Sequence, residues 1–147
     1  MVQLTGTYGF ELTKAQAGQK YDIRPDWVAS AAAEVAINPG QPVRRGTDPE
    51  KQVLVGNATS FYGVALFTHT LEQAFPAGGA SYAITDTVSV LTKGAVWVTS
   101  AVAGVVAGAP AYVTAGGTFT TVSTDNLLVG TFITGGGVGD LVVLELA

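Results

Sequence analysis

Cysteine is absent from the 147 residues, histidine occurs once, and only 12% of the side chains are charged. Without cysteine there is no disulfide framework, no thiolate zinc site and no cysteine nucleophile. A lone histidine, His69, cannot build a multi-histidine metal site, and as a general base it would want an orienting partner. Glu72 lies three residues on, and the plainer reading of His69 is a loop residue after an apolar strand. Basic residues number seven against eleven acidic ones, for a net charge of −4, which argues against nucleic acid, since phosphate binding needs clustered Lys and Arg. No Gly-x-Ser-x-Gly elbow, phosphate loop or dinucleotide fingerprint is present, and Gly135-Gly136-Gly137 opens no helix that could receive a phosphate. The start Met1-Val2-Gln3-Leu4-Thr5-Gly6 lacks a basic flank followed by an apolar run, so the expectation is a chain made in the cytoplasm without a secretion signal.

The sparse charge comes with a mean hydropathy of +0.37. An apolar chain of this size is expected to cover surface with a partner or with copies of itself. Charge is also unevenly placed. Lys14, Lys20, Arg24, Arg44, Arg45 and Lys51 fall in the first 51 residues, and only Lys93 falls beyond them. This divides the chain into an arm, residues 1–36, and a body, residues 37–147. From Gly94 to Thr124 no side chain is charged. The stretch is filled with small residues and broken by Pro110 and Gly116-Gly117, which reads as packed strands and not as a membrane helix.

The body is rich in Val, Thr, Gly and Ala and reads as β throughout. Candidate strands are Val53–Val55, Gly63–Phe67, Val88–Leu91, Ala95–Thr99, Leu127–Val129, Thr131–Ile133 and Leu141–Leu146, with Lys93-Gly94 as a turn signal and Gly135–Asp140 as a turn or loop. Helix signals are thin; alanine-rich Trp27–Glu34 is long enough for about two turns. A short repeat runs through the chain. Ile37–Val43 holds Gly40-Gln41-Pro42, Ala107–Val113 holds Gly108-Ala109-Pro110, and Tyr82–Val88 has Thr85-Asp86 at the same place. Gly63 follows Gly40 by 23 residues and Gly130 follows Gly108 by 22, each inside an apolar strand. Such a unit suits a recurring β-corner, Gly permitting the bend and Pro fixing the φ beyond it. The expected fold is all-β, a compact barrel or sandwich with an extended N-terminal arm and little helix.

Polar features point to contacts and not to chemistry. Asp22 and Asp26 flank Arg24-Pro25, and Asp48-Pro49-Glu50 forms an acidic turn, but neither has calcium-loop spacing, so capping and arm-to-body salt bridges are preferred to a metal. Arg44-Arg45 reads either as a solvated strand end or as a pair of forked donors for carboxylates of another subunit. Tyr8, Phe10, Tyr21, Ile23 and Trp27 are apolar anchors set among polar residues, a pattern that suits a segment ordering on a neighbouring surface. The candidate interface residues are therefore Tyr21, Asp22, Ile23, Arg24, Trp27, Arg44, Arg45 and Asp48.

Taken in order, Ile37–Pro49, Phe61–Leu66, Thr70–Gln73, Tyr82–Val98, Gly108–Val113 and Leu141–Leu146 resemble the structural cement proteins of tailed bacteriophages over roughly residues 15–147. The resemblance implies a small β protein on the outer surface of the mature head. It would be a homotrimer whose partner is the major capsid protein, and it would stabilise the shell across neighbouring capsid subunits. No catalytic residue, cofactor, metal, nucleic acid or membrane is implied, and the location would be the virion. Thr85-Asp86 departs from the usual Gly-Asp of this family and leaves the geometry of that corner open. The rival reading is a carbohydrate- or receptor-binding β module displayed on the virion. That module would want aromatics grouped on one exposed face, whereas Trp97 and Tyr112, set in apolar strands, read as buried.

Overall fold

The computed structural model describes residues 15–68 and 81–147. Tyr8, Phe10, His69 and the whole of Thr70–Gln73, Glu72 included, lie outside the described residues. Among the described residues there are nine strands and no helix: β1 (Trp27–Ala33), β2 (Pro42–Arg45), β3 (Gln52–Val55), β4 (Gly63–Ala65), β5 (Thr87–Thr99), β6 (Pro110–Val113), β7 (Phe119–Thr120), β8 (Leu127–Phe132) and β9 (Leu141–Leu146).

The strands run twice through one circuit. In the first, β5 pairs with β4, β4 with β2 and β2 with β3, all antiparallel; β3 then lies parallel to β1, and β1 returns antiparallel to β5. In the second, β9 pairs with β8, β8 with β6 and β6 with β7, again antiparallel, and β9 also pairs with the far half of β5. A parallel bridge from Phe119 to Ser100, at the end of β5, completes this circuit just as the parallel β3–β1 contact completes the first. The fold is thus a pair of five-stranded barrels. β5 is the last strand of one and the first strand of the other. Each barrel has its own core: Val43, Val53, Tyr82, Val88 and Val90 in the first, Val98, Val113, Phe119, Phe132 and Leu144 in the second.

The 13 residues of β5 pass straight through Lys93-Gly94, so the turn expected there is absent. Gly94 instead lets a single strand change barrels. Its φ is +125°, and a Cβ on it would meet Asp26 Cβ at 2.8 Å. The two turns expected of Trp27–Glu34 are likewise replaced by β1. Alanine's helix preference yields to position, since β1 fits between β5 and β3 with the small residues Ala31 and Ala33 toward the core. As part of the segment assigned to the arm, β1 is built into the first barrel.

The recurring corner is a type II turn, and it occurs five times: Gln16–Gln19, Asn38–Gln41, Ala83–Asp86, Val106–Ala109 and Gly137–Asp140. Each closes with a bond from the fourth residue's N–H to the first residue's carbonyl and carries positive φ at its third residue. Each also grips one strand residue with two hydrogen bonds. Gly40 N–H donates to the Ala65 carbonyl and Ala65 N–H to that of Gln41, at 2.7 and 3.0 Å; Gly108 and Ala109 hold Phe132 in the same way at 2.7 and 2.9 Å. Where the fourth residue has a side-chain oxygen, it accepts from the N–H of the first: Gln19, Gln41, Asp86 and Asp140 all do so. The Thr85-Asp86 corner has the same geometry as the rest, with Thr85 in the left-handed region at φ 77°.

Candidate interaction surface

Residues 18–27 are drawn across the outside of β5 by backbone bonds. Gly18 N–H donates to the Trp97 carbonyl at 2.7 Å, Trp97 N–H to the Gln19 carbonyl at 2.9 Å, and Tyr21 N–H to the Ala95 carbonyl at 3.0 Å. Gly18 must be glycine for this approach, because a Cβ would stand 2.8 Å from the backbone nitrogens of Gly40 and Phe67. Side chains hold the rest of the segment in place. Arg24 Nε donates to Asp22 Oδ1 at 2.8 Å and Nη2 to Oδ2 at 2.7 Å, a forked pair, while Nη1 lies 3.3 Å from Glu145 Oε2 on β9. Lys20 pairs with Asp26 at 2.8 Å. The Arg24 guanidinium hydrogen-bonds Asp22 and holds its carboxyl below the usual carboxylate range, and Asp22 in turn raises Arg24.

On this clamped segment Ile23 is fully exposed, Trp27 is 67% exposed and Val28 45%. Tyr21 stands edge-on to Trp97 at 5.7 Å, Arg24 caps the Tyr21 ring at 5.7 Å, and Lys93 lies 5.0 Å from the Trp27 ring. The structure therefore brings together five of the candidate residues, Tyr21, Asp22, Ile23, Arg24 and Trp27. It adds four the sequence did not single out for this surface: Val28, Lys93, Trp97 and Glu145. Trp97 and Tyr112, expected to be buried, are only half-buried, because both sit on outward positions of their strands.

Arg44, Arg45 and Asp48 are elsewhere, on β2 and its hairpin to β3. Arg45 is held locally, donating to the Pro49 carbonyl at 2.7 Å with its guanidinium 4.1 Å from the centre of the Tyr62 ring. Asp48 accepts from Glu50 N–H at 3.2 Å and lies 3.9 Å from Lys51 Nζ. Arg44 keeps a buried Nε with no hydrogen-bond partner among the described residues. Glu34 accepts from the Thr47 hydroxyl and N–H at 2.6 and 2.8 Å, which lowers its pKa. An open groove of about 410 Å³ between the barrels, lined by Ala17, Asn38, Gln41, Ser100, Phe119 and Gly139 among others, has no charged side chain. Among the described residues no three acidic or imidazole side chains converge.

Comparison with known proteins gives this geometry a family. The profile of the structural cement proteins (E217 gp24/Pam3 gp6) matches residues 4–147. Among solved structures, a chain of the capsid of the myovirus XM1 superposes with a TM-score of 0.73 at 18% identity, covering 92% of each chain. The N base of the head fiber gp8.5 of bacteriophage phi29 superposes with a TM-score of 0.55 at 11% identity, over 84% of this chain and 95% of that one. A search of the curated proteins finds no match. With a family match that spans all but the first three residues, and a two-barrel fold shared with a phage capsid chain, this chain belongs to the structural cement proteins of bacteriophages.

Proposed function

We propose that this protein binds the outer surface of the mature head as a homotrimer and holds neighbouring major capsid subunits together through the Tyr21–Val28 surface. Family membership carries the coarser statement: the role is structural and capsid-associated, with its place in the virion. The observation that carries the finer one is a fully exposed Ile23 and a largely exposed Trp27 on a segment clamped by Arg24 to Asp22 and Glu145. Apolar side chains held rigid in water lose little conformational freedom on docking, so more of their burial appears as affinity. A head offers many equivalent sites, and a modest energy at each sums over the shell. Arg44, Arg45 and Asp48 form a second, more self-contained polar contact at another place on the first barrel. Synthesis in the host cytoplasm and assembly onto expanded shells fit this reading, and it requires no catalysis.

The test is titration onto expanded heads stripped of the protein, with light scattering for the free state. A trimer that saturates the heads and raises their heat resistance is the expected result. Ile23→Ser with Trp27→Ala is expected to weaken loading at least tenfold with an unchanged melting midpoint, about the loss of one hot spot. Arg44→Ala with Arg45→Ala is expected to cost less. Parent-like loading of the Ile23/Trp27 variant would remove this surface from the interface. The same surface favours one rival: Tyr21, Trp27 and Trp97 with Arg24 and Asp22 are also the residue types of a sugar platform. Glycan-array binding by a protein that ignores heads would establish that rival.

A further inference from the structure

β1 keeps an open edge. It meets β3 only at Ala32–Gln52 and Ala33–Val53, while it follows β5 from Val28 to Ala32. Ala33 N–H donates to the Asp86 carbonyl, so in this antiparallel ladder residues 29, 31 and 33 bond toward β5 and residues 28, 30 and 32 point the other way. Ala32 N–H finds the Lys51 carbonyl at 2.8 Å. The N–H and C=O of Val28 and of Ser30 have no hydrogen bond among the described residues, and both residues are exposed. Natural edges are guarded by lysine, proline or an inward charge, and Trp27–Ala33 has none of these.

These four groups are their own complement. Turned about a two-fold axis at Ala29, two such edges run antiparallel, and Val28 of each copy exchanges both hydrogen bonds with Ser30 of the other. Charge argues for a second copy in this direction. At the Trp27 end stands Lys93, 5.0 Å from the Trp27 ring and without an ion pair among the described residues. At the Ala32 end stands the β2–β3 hairpin, whose exposed Glu50 also has no ion pair among the described residues. Antiparallel pairing turns each copy's Lys93 toward the other's Glu50, whereas parallel pairing would set like charges together. We infer that the Val28–Ser30 edges of two copies pair antiparallel about a two-fold axis, flanked on both sides by Lys93 and Glu50. A three-residue ladder is small beside the roughly 1,000 Å² of a stable interface, so it fills where copies are crowded side by side. It involves only copies of this chain and stands or falls independently of head binding.

The chain has no cysteine, so introduced thiols report cleanly. Ala29→Cys puts its thiol on the axis, where a non-hydrogen-bonded pair brings the Cα atoms to about 4.5 Å, within reach of a disulfide. Ala31→Cys puts an equally half-buried thiol on the same face of β1, but opposite Trp27 of the other copy. Each variant is gently oxidised at about 1 mM, without heads, since so small a contact fills only at high concentration. Ala29→Cys is expected to give about tenfold more disulfide dimer than Ala31→Cys. Adding Lys93→Glu should cut that dimer about threefold, and adding Glu50→Lys as well should restore it, both being exposed positions that leave the barrels intact. Equal trapping at 29 and 31, or trapping indifferent to the Lys93 exchange, would overturn the inference. No dimer at either position would overturn it too, and would leave the edge to a strand of another protein.

Discussion

Strands β1–β5 and β5–β9 follow one circuit and differ almost wholly in what they show to their surroundings. Gly63 on β4 and Gly130 on β8 occupy matching places, and a Cβ on either would run into the backbone of its barrel's last strand, at Leu91 O and Glu145 O respectively. Matching turns at Asn38–Gln41 and Val106–Ala109 grip matching residues, Ala65 and Phe132. Yet beyond Lys93 the chain has no basic side chain, while the first barrel and its overlying segment hold every arginine. The backbone circuit sets the fold, and the variable outer positions of one barrel supply a surface. The second barrel serves that surface mainly through Trp97 and Glu145, on which Tyr21 and Arg24 rest.

If the circuit is the common element, equal damage to it should cost equally in both barrels. Gly63→Ala and Gly130→Ala are each expected to destabilise by about 2–3 kcal/mol, since the obstacle is backbone and cannot swing aside. The midpoint of thermal unfolding should fall by about 5–10 °C in both. A large loss at one site with none at the other would break the equivalence.

The turns give a finer comparison, because Thr85 and Gly139 are matching third residues at φ 77° and 79°. A β-branched residue is strained there by about 1–2 kcal/mol. Thr85→Gly relieves that strain and adds glycine's own entropy cost, for an expected net gain of about 0.5–1 kcal/mol. Gly139→Thr takes on the strain and sheds glycine's entropy cost, so it should lose about 0.5–1 kcal/mol, and since a Cβ at Gly139 has nothing within 4 Å, the loss is conformational and not a clash. Opposite signs in urea unfolding of the two variants are the check. A stabilising Gly139→Thr would mean that the two corners are not alike.

The corners also show what the sequence could disclose. Three of the five are legible because Gly or Thr-Asp stands at the bend with apolar residues at fixed distances on either side. Gln16–Gln19 and Gly137–Asp140 lack the flanking proline and blend into arm and loop. The 23- and 22-residue spacings from Gly40 to Gly63 and from Gly108 to Gly130 are the trace of the doubled circuit. β1 is illegible for a physical reason: in Trp27–Ala33 the local preference is helical, and only pairing with Thr87–Leu91, some sixty residues away, makes it a strand. The surface obeys the same rule. Tyr21, Asp22, Ile23, Arg24 and Trp27 are neighbours in sequence and visible together, whereas Trp97, Lys93 and Glu145 join them only through the register of β5 and β9.

The smallest effect is on the overlying segment, and acid reads it. Arg24 is the guanidinium that ties the overlying segment to β9 of the second barrel, through Glu145 at 3.3 Å, while Asp22 of the same segment holds it at 2.7 Å. Asp22 has its pKa lowered in the folded chain, chiefly by the hydrogen bond from Arg24. A depressed carboxylate stabilises above its unfolded value, and that contribution disappears as pH falls through the folded one. Acidification below the ordinary carboxylate range should therefore loosen residues 20–27 before either barrel melts. The effect on global stability should be slight, because the pair is solvent-screened. Tryptophan fluorescence reads it directly, since Trp97 lies against Tyr21 and Trp27 against Lys93. Asp22→Asn should give the loosened signal already at neutral pH and flatten the acid transition. An acid transition unchanged in Asp22→Asn would place the sensitive group elsewhere and leave Arg24 as a spectator of the segment's contact with β9.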